Sequence, residues 1–514
     1  MEIETTDVEQ NNTKKPRLLK GRVRITTPYE EINDDNIITV INEALLWFFG
    51  NRADIDYLWR YYKGVQPILD REKDVRPEIC NKIVENHAQE IVAFKVGYQL
   101  AEPLQYTCRN STEEGYEQRL EHINELNTLM FAEDKASADR DLFEWMCVCG
   151  IGFRFIEADT DRDVEEGGAP FELYTLDPRH TFVIQSAAYH GRTLAGVWLS
   201  RNAEKELIIN VFTDKMYYRI VSNTIEYKSV HTYGVCPIVE YQLNNARMGV
   251  FEPALPLLDA INNIESNRLD GVEQTVQSLM KFINCDITND DFVEMLKLGA
   301  IKIDSRDGVN ADVDVITNNL DQAQTQTTKD DLYDAVMNIC GMPKQTSTSG
   351  GDTGAAVLLR DGWTLAESHA KSFELQLKRA ERNTLRVVLS ICRQSADTDI
   401  DLRIRDIELV FNRRNYENIQ VKSQVLTTML NCNQIHPELA FQACGLFSDP
   451  DAAYSHSMEY KEENRAYAQS LINGENSTNE EEGTEQQEET DEEKEKNSTS
   501  NQADVPVEAN NSNI

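Results

Sequence analysis

The chain has 514 residues, 40% of them apolar and 27% charged, with 88 acidic against 51 basic side chains and a net charge of −37. That length can bury several substantial cores, whereas no apolar run approaches the ~20 residues of a membrane span. The acidity argues against a sequence-reading DNA binder, which would present a basic face; it suits plain solubility, and also a channel wall that must not grip passing DNA.

Residues 1–35 are polar, and Met1 to Asn12, acidic and polar, contains no apolar signal-peptide core, which predicts a flexible arm on a protein kept in a cytoplasm. Asn36 to Tyr62 reads as a helix, with Ile37, Ile41, Ala44, Leu45, Phe48 and Phe49 clustering. A second helix carries Ile83, His87, Ile91 and Phe94, followed by a turn at Gly97 and an extended end before Cys108. His87 is alone on its face, so a packed or solvated imidazole is favoured over a metal ligand. Ser111 to Gly150 predicts two helices with a short break. The ten cysteines include no Cys-x-x-Cys pair, which reads as buried reduced thiols; Cys147 and Cys149 fall in an apolar run and are assigned to core packing. From Gly152 to Leu243 the pattern turns to short β-branched and aromatic runs separated by turn residues, an antiparallel sheet region.

The stretch from Pro253 to Arg393 organises the rest. Leu257, Leu258, Ile261, Ile264, Leu269, Val272, Val276 and Leu279 repeat at helical spacing, with Glu265, Asp270, Glu273, Gln274 and Gln277 on the other face. Two strand-like runs then flank Asp307-Gly308, a hairpin signal. A helix over Asp321–Cys340, with Leu332, Val336 and Ile339 on one side, is stopped by Pro343. The segment KQTSTSGGDTG cannot hold a fixed fold by itself. Asp352 or Thr353 can cap the next helix, which continues to Ile391; about forty residues at 1.5 Å each give roughly 60 Å. Beyond it, Ile400–Phe411 predicts one or two strands, Tyr416–Ser470 is helical, and the chain from Gly474 is Glu-, Asn- and Ser-rich, with the composition of a disordered acidic tail.

Catalytic and cofactor motifs fail on spacing. GGDTGAA has Ala355 and Ala356 where a phosphate loop needs Lys and Ser or Thr. DSRDGVNADVD is acid-rich, but placing Gly308 at position six of a calcium loop puts Ile303 at position one. There is no G-x-S-x-G or H-E-x-x-H, and no histidine pair four residues apart.

Five stretches, in order, resemble the portal proteins of tailed bacteriophages of the siphovirus type. They are RPEICNKIVENHAQEIVAFKVGYQLAEPLQY (76–106); VCPIVEYQLNN (235–245) with MGVFEPALPLLDAINNIESNRLDGVEQ (248–274); GMP (341–343) and its glycine-rich loop; TGAAVLLR (353–360) opening a long helix; and DPDAAYSHSMEYKEENR (449–465). The resemblance covers most of residues 75–465, and Thr353 and Ala355 depart mildly from the family's Ser-Gly-Val-Ala-Leu. It implies an α+β, portal-like fold: a mixed wing over 36–252, a two-helix stem at 253–279 and 320–342, a small α/β clip at 280–319, a tunnel loop at 343–353, a long spanning helix with wing strands over 354–415, a helical crown over 416–472 and the tail over 473–514. It implies a ring, a dodecamer, at one capsid vertex of a virion assembled in the host cytoplasm. Its expected partners are the terminase large subunit, a head-completion or neck adaptor, the major capsid and scaffolding proteins, and double-stranded DNA passing without sequence preference.

No membrane, catalysis, cofactor or metal is implied. The channel would be lined by Lys344, Gln345, Thr346, Ser347, Thr348, Ser349, Gly350 and Gly351, with Lys344 available for a transient phosphate contact. The partner surface would be the clip, with Asp286, Asp290, Asp291, Arg306 and Asp307. Two other readings stay open. Asp286, Asp290 and Asp291 could serve a metal-dependent nuclease, although no basic DNA platform accompanies them, or the chain could be an adaptor that never forms a ring.

Overall fold

The computed structural model describes residues 21–109, 115–159, 167–188, 191–276, 279–283, 290, 293, 312–316, 322–343, 363–396, 398–411, 419–432, 434–447 and 450–478. They form a mixed α+β protein in two units, divided between Asp449 and Pro450.

Helix α1 (Ile37–Tyr62) buries Ile37, Ile41, Ala44, Phe48, Ile55 and Leu58, steps of three, four and seven that make one stripe. Phe49, expected in that cluster, is exposed. Ile55 and Leu58 join the main core, while the first half of the stripe, through Phe48, packs on a six-stranded sheet of order β1-β5-β6-β7-β8-β9, with Phe48 stacked on Phe182 at 4.6 Å. Its strands are β1 (Thr26–Thr27), β5 (Thr181–Ser186), β6 (Thr193–Arg201), β7 (Leu207–Phe212), β8 (Met216–Val221) and β9 (Thr224–Val230). All pair antiparallel except β1, which runs parallel to β5.

The other strands of the region, β3 (Ile151–Ala158), β4 (Phe171–Leu176) and β10 (Ile238–Gln242), form a separate sheet of order β10-β3-β4. The β-rich stretch thus divides into two sheets where one sheet region was expected. The division follows what covers each: α1 covers the first, whereas α4 (Lys135–Cys149) and the long helix α7 (Trp363–Gln394) contact the second. Gly150, at φ +83°, ends α4; a Cβ there would stand 2.3 Å from the carbonyl of Arg247, so the close approach requires glycine. Cys147 and Cys149 are fully buried in this core.

Residues 21–27, expected as part of a flexible arm, are anchored to the body, whereas most of 28–35 are exposed. Arg22 and Glu252 form a buried ion pair at 2.6 Å, and Asn51, inside α1, brackets Val23 by accepting from its N–H at 2.8 Å and donating to its carbonyl at 2.7 Å. Helix α2 (His87–Gln99) starts later than expected, leaving Ile83 outside, and runs through Gly97 instead of turning there. It is followed by β2 (Gln105–Cys108), which pairs antiparallel with β13 (Ile407–Val410). Helix α3 is Tyr116–Ala132.

In the central stretch, α5 (Leu255–Val276) and α6 (Gln322–Cys340) pack together. Leu279, expected as the last apolar residue of the first helix, opens β11 (Leu279–Ile283), which pairs antiparallel with β12 (Asp312–Ile316), Leu279 opposite Ile316. The ends of the excursion are therefore joined at its base. The local hairpin around Asp307-Gly308 lies outside the described residues. Ile339 is 47% exposed, and α6 buries Val336, Met337 and Cys340 instead.

Helix α7 spans 32 residues; its expected beginning, with Gly362, is outside the described residues. Helices α8 (Ile419–Leu430) and α9 (Pro437–Cys444) pack on each other. The second unit is described as one helix, α10 (Pro450–Thr478), which runs beyond the boundary at 473 where the acidic tail was expected to begin. Among the described residues no helix is long and apolar enough to cross a membrane.

Candidate functional site

Helix α5 carries Asn262, Ser266 and Asp270 at intervals of four, all buried. Each accepts a backbone N–H from the irregular run before α2. Glu85 N reaches Asn262 Oδ1 at 2.8 Å, Ile83 N reaches Ser266 Oγ at 3.0 Å, and Asn81 N reaches Asp270 Oδ1 at 2.8 Å. Four helical residues rise about 6 Å and two near-extended residues advance about 6.6 Å, so the two polar rows stay in register. Asp270 also pairs with Lys73, and with Arg71 at 3.0 Å. Burial opposes ionisation of Asp270, but Lys73, Asn81 and Arg71 outweigh it and hold its pKa below the usual value. Lys329 of α6 closes the arrangement, 2.6 Å from Glu85 and 2.9 Å from Glu265. His87 sits between Glu85 at 2.9 Å and Glu90 at 2.8 Å.

This corrects the helix face expected from periodicity. Asp270, assigned to a polar face, is buried, while Leu269 and Val272 from the apolar repeat are exposed in the single chain.

The expected channel residues, Lys344 through Gly351, lie outside the described residues; the described chain ends before them at Pro343 and resumes at Trp363. Helix α6 ends in Gly341, at φ +61°, where a Cβ would come within 2.6 Å of the His369 ring on α7. Lys95 of α2 donates to the Gly341 carbonyl at 2.7 Å, a cation on the carbonyl end of a helix. Burial lowers its pKa to about 8. One turn along α2, Tyr98 donates to Glu367 of α7 at 2.7 Å, and Phe94 and Tyr98 meet Trp363 at 6.0 and 5.9 Å between ring centroids. Helix α2 thus holds both the end of α6 and the start of α7.

Farther along α7, Glu381 is buried. Tyr106 and Tyr241 donate to its two oxygens at 2.6 and 2.5 Å, Tyr241 also meets Thr384 at 2.6 Å, and Lys135 lies 3.2 Å away. Lys135 and Arg154 share Asp139 at 2.5 and 2.8 Å. Burial would raise the pKa of Glu381; Lys135, Arg154 and the two phenols overcome it and hold the carboxyl below its usual range. Sequence reasoning missed this residue. The available signal was spacing, since Glu381 stands four residues from both Leu377 and Leu385, on the buried face.

Of the expected clip residues, Asp286, Asp291, Arg306 and Asp307 lie outside the described residues, and Asp290 is exposed. Among the described residues no group of His, Cys, Asp and Glu is arranged to hold a metal.

The family model for phage portal protein, SPP1 Gp6-like, matches residues 50–499. The chain belongs to this family of phage portal proteins. No curated protein matches it. Similar solved structures include the neck of an empty GTA particle with C6 symmetry, at 12% identity and TM-score 0.43, covering 70% of this chain and 90% of that one. The neck of the native GTA particle with C12 symmetry has 12% identity and TM-score 0.41, covering 70% and 89%. The virion of the native gene transfer agent particle has 12% identity and TM-score 0.43, covering 77% and 94%.

Proposed function

We propose that the chain is one subunit of a ring, of twelve copies, at a capsid vertex, through which a double-stranded genome is packaged and ejected. In this reading it serves as a conduit and performs no catalysis. Membership of the portal family carries the proposal. The physical support is the pairing of α5 with α6, joined at one end by β11 and β12 and tied along its length to residues 81–85. Such a rigid two-helix element is what a channel wall requires.

We assign α5 and α6 to the stem, the excursion between them to the clip, residues 343–353 to the tunnel loop and residues 416–472 to the crown. The wing, set at 36–252, takes in residues 21–35, because Arg22 and Val23 are anchored to Glu252 and Asn51. The clip would dock the terminase large subunit and a head-completion or neck adaptor, while capsid and scaffolding proteins surround the ring. The deciding experiment is negative-stain imaging and native mass measurement of the purified full chain. Rings with a central hole are expected, and a species that stays monomeric at every concentration overturns the proposal.

A further inference from the structure

A cleft of about 640 Å³ lies between β10 and α7 and is lined by Arg24, Arg192, Arg379, Arg382 and Arg386. Two acids line it as well, and each has a basic partner. Glu240 is held by Arg247 at 2.8 Å, and Asp214 lies 3.5 Å from Arg192. Arg24 adds its charge to that of Arg247 in holding Glu240, whereas Arg379 and Arg382 form no ion pair among the described residues and Arg386 donates only to Asn383. On α7 the exposed stripe is Leu375, Arg379, Arg382 and Arg386, in steps of four, three and four, and Leu375 is 70% exposed. The opposite face of the helix, with Glu381, Thr384 and Val388, is buried. In a chain of net charge −37, a solvated stripe of arginines beside a bare leucine is the signature of a surface waiting for an anionic partner.

The complementary surface exists on the same chain. Glu157 of β3 stands directly opposite Glu172 of β4 in the sheet register, an arrangement that costs stability when both are charged. Glu133, just beyond α3, joins them: burial raises the pKa of both Glu133 and Glu157, and the charge of Glu172 raises them further. None of the three forms an ion pair among the described residues. Beside them Phe131 is 87% exposed and Tyr174 is exposed as well.

The arginines line the cleft at β10, one edge of a three-stranded sheet, while Glu157 lies on the central strand β3 and Glu172 on the far edge strand β4. No ion pair joins the two groups among the described residues. Two separate, complementary patches on one subunit suit a head-to-tail contact, the kind that closes into a ring when the rotation per subunit divides a full turn.

We propose that the Arg379–Arg382–Arg386 stripe of one copy docks on the Glu133–Glu157–Glu172 patch of the next copy, with Leu375 and Phe131 supplying apolar area beside the ion pairs. The contact relieves like-charge crowding on one side and fills an arginine cleft on the other. This rests on the ring reading above, and the test separates the two.

The full chain carrying R382E, E172R or both is compared with the parent chain by native mass spectrometry across a dilution series, with circular dichroism melts as the folding control. Each single reversal is expected to raise the concentration needed for ring formation by about tenfold or more, because it places like charges across the contact. The double reversal is expected to bring it back toward the parent value. The neutral variant R379Q/R382Q, which introduces no repulsion, is expected to shift assembly in the same direction by less.

A parent chain that never forms rings would overturn the ring reading and this inference together. Rings that form equally well with R382E would overturn this inference alone, as would singles that weaken assembly without rescue in the double. If R382E instead abolishes binding of a 30-base-pair duplex and leaves ring mass unchanged, the cleft is a nucleic-acid surface and the proposed contact is wrong.

Discussion

Lys95 reaches from the middle of α2 to the carbonyl of Gly341, 2.7 Å away, at the residue where the chain leaves α6. The amine is almost fully buried, and its pKa falls to about 8. A buried lysine that still donates to a helix end couples the position of that end to its protonation state.

The sign of the pH effect follows. Between about pH 8 and the unfolded value near 10.5, the folded chain binds fewer protons than the unfolded chain, so stability rises with pH across that window. The full effect is on the order of 3 kcal/mol. Hydrogen exchange of the amides from Met337 to Met342, followed from pH 7.5 to 10.5 and corrected for the intrinsic rate, should show protection growing with pH. K95M should lack that growth. Equal slopes in the two proteins would mean that Lys95 does not titrate there.

The ladder on α5 makes a second prediction. D270A leaves the Asn81 N–H without its acceptor and leaves Arg71 and Lys73 without their carboxylate. The expected cost is roughly 2–4 kcal/mol, because buried hydrogen bonds to charged groups are lost. Its mark should be faster exchange at Asn81 and Ile83, with the β6–β7 ladder unaffected. Since the folded pKa of Asp270 lies below 3.8, its contribution is present above that value and disappears as pH falls through the depressed one.

Removing Glu381 should be more damaging than removing a surface acid. E381A strips Tyr106 of its acceptor, leaves Tyr241 with Thr384 alone, and leaves Lys135 and Arg154 with Asp139 alone, at a cost of about 3–5 kcal/mol. E381Q keeps acceptor capacity for one phenol but not the charge, and should fall between E381A and the parent. Urea denaturation followed by tryptophan fluorescence measures both. A change under 1 kcal/mol for E381A would show that the network is solvated rather than closed.

The clip assignment predicts a functional separation. Replacing Asp286, Asp290 and Asp291 with Ser should leave ring mass unchanged and weaken binding to the packaging motor or to the neck adaptor by about tenfold, measured by surface plasmon resonance on immobilised rings. Undiminished binding to both partners would remove the clip from the docking surface.

Much of the element plan was legible in the chain. The stripe Ile37, Ile41, Ala44 and Phe48 carries a helical period, and the break between α3 and α4 and the β-branched and aromatic runs from Ile151 to Gln242 are marked by local composition and turn residues. Those signals are local, so they survive without knowledge of the fold. Membership of the portal family was legible as well, through the order of short stretches spread across the chain. Partners at long range were not. Arg22 lies in a polar segment that reads as free until Glu252 is found beside it, 230 residues away in the chain. Asn262, Ser266 and Asp270 look like a solvated face because side chains so polar are rarely buried alone; the run from Asn81 to Glu85 supplies the N–H groups that make burial possible. Sequence periodicity by itself determined most of the helices and the β-rich region, but not where each element begins and ends. Only the tertiary structure decided which polar residues are inside, because that depends on whether a distant segment brings a hydrogen-bond partner to offset the loss of water.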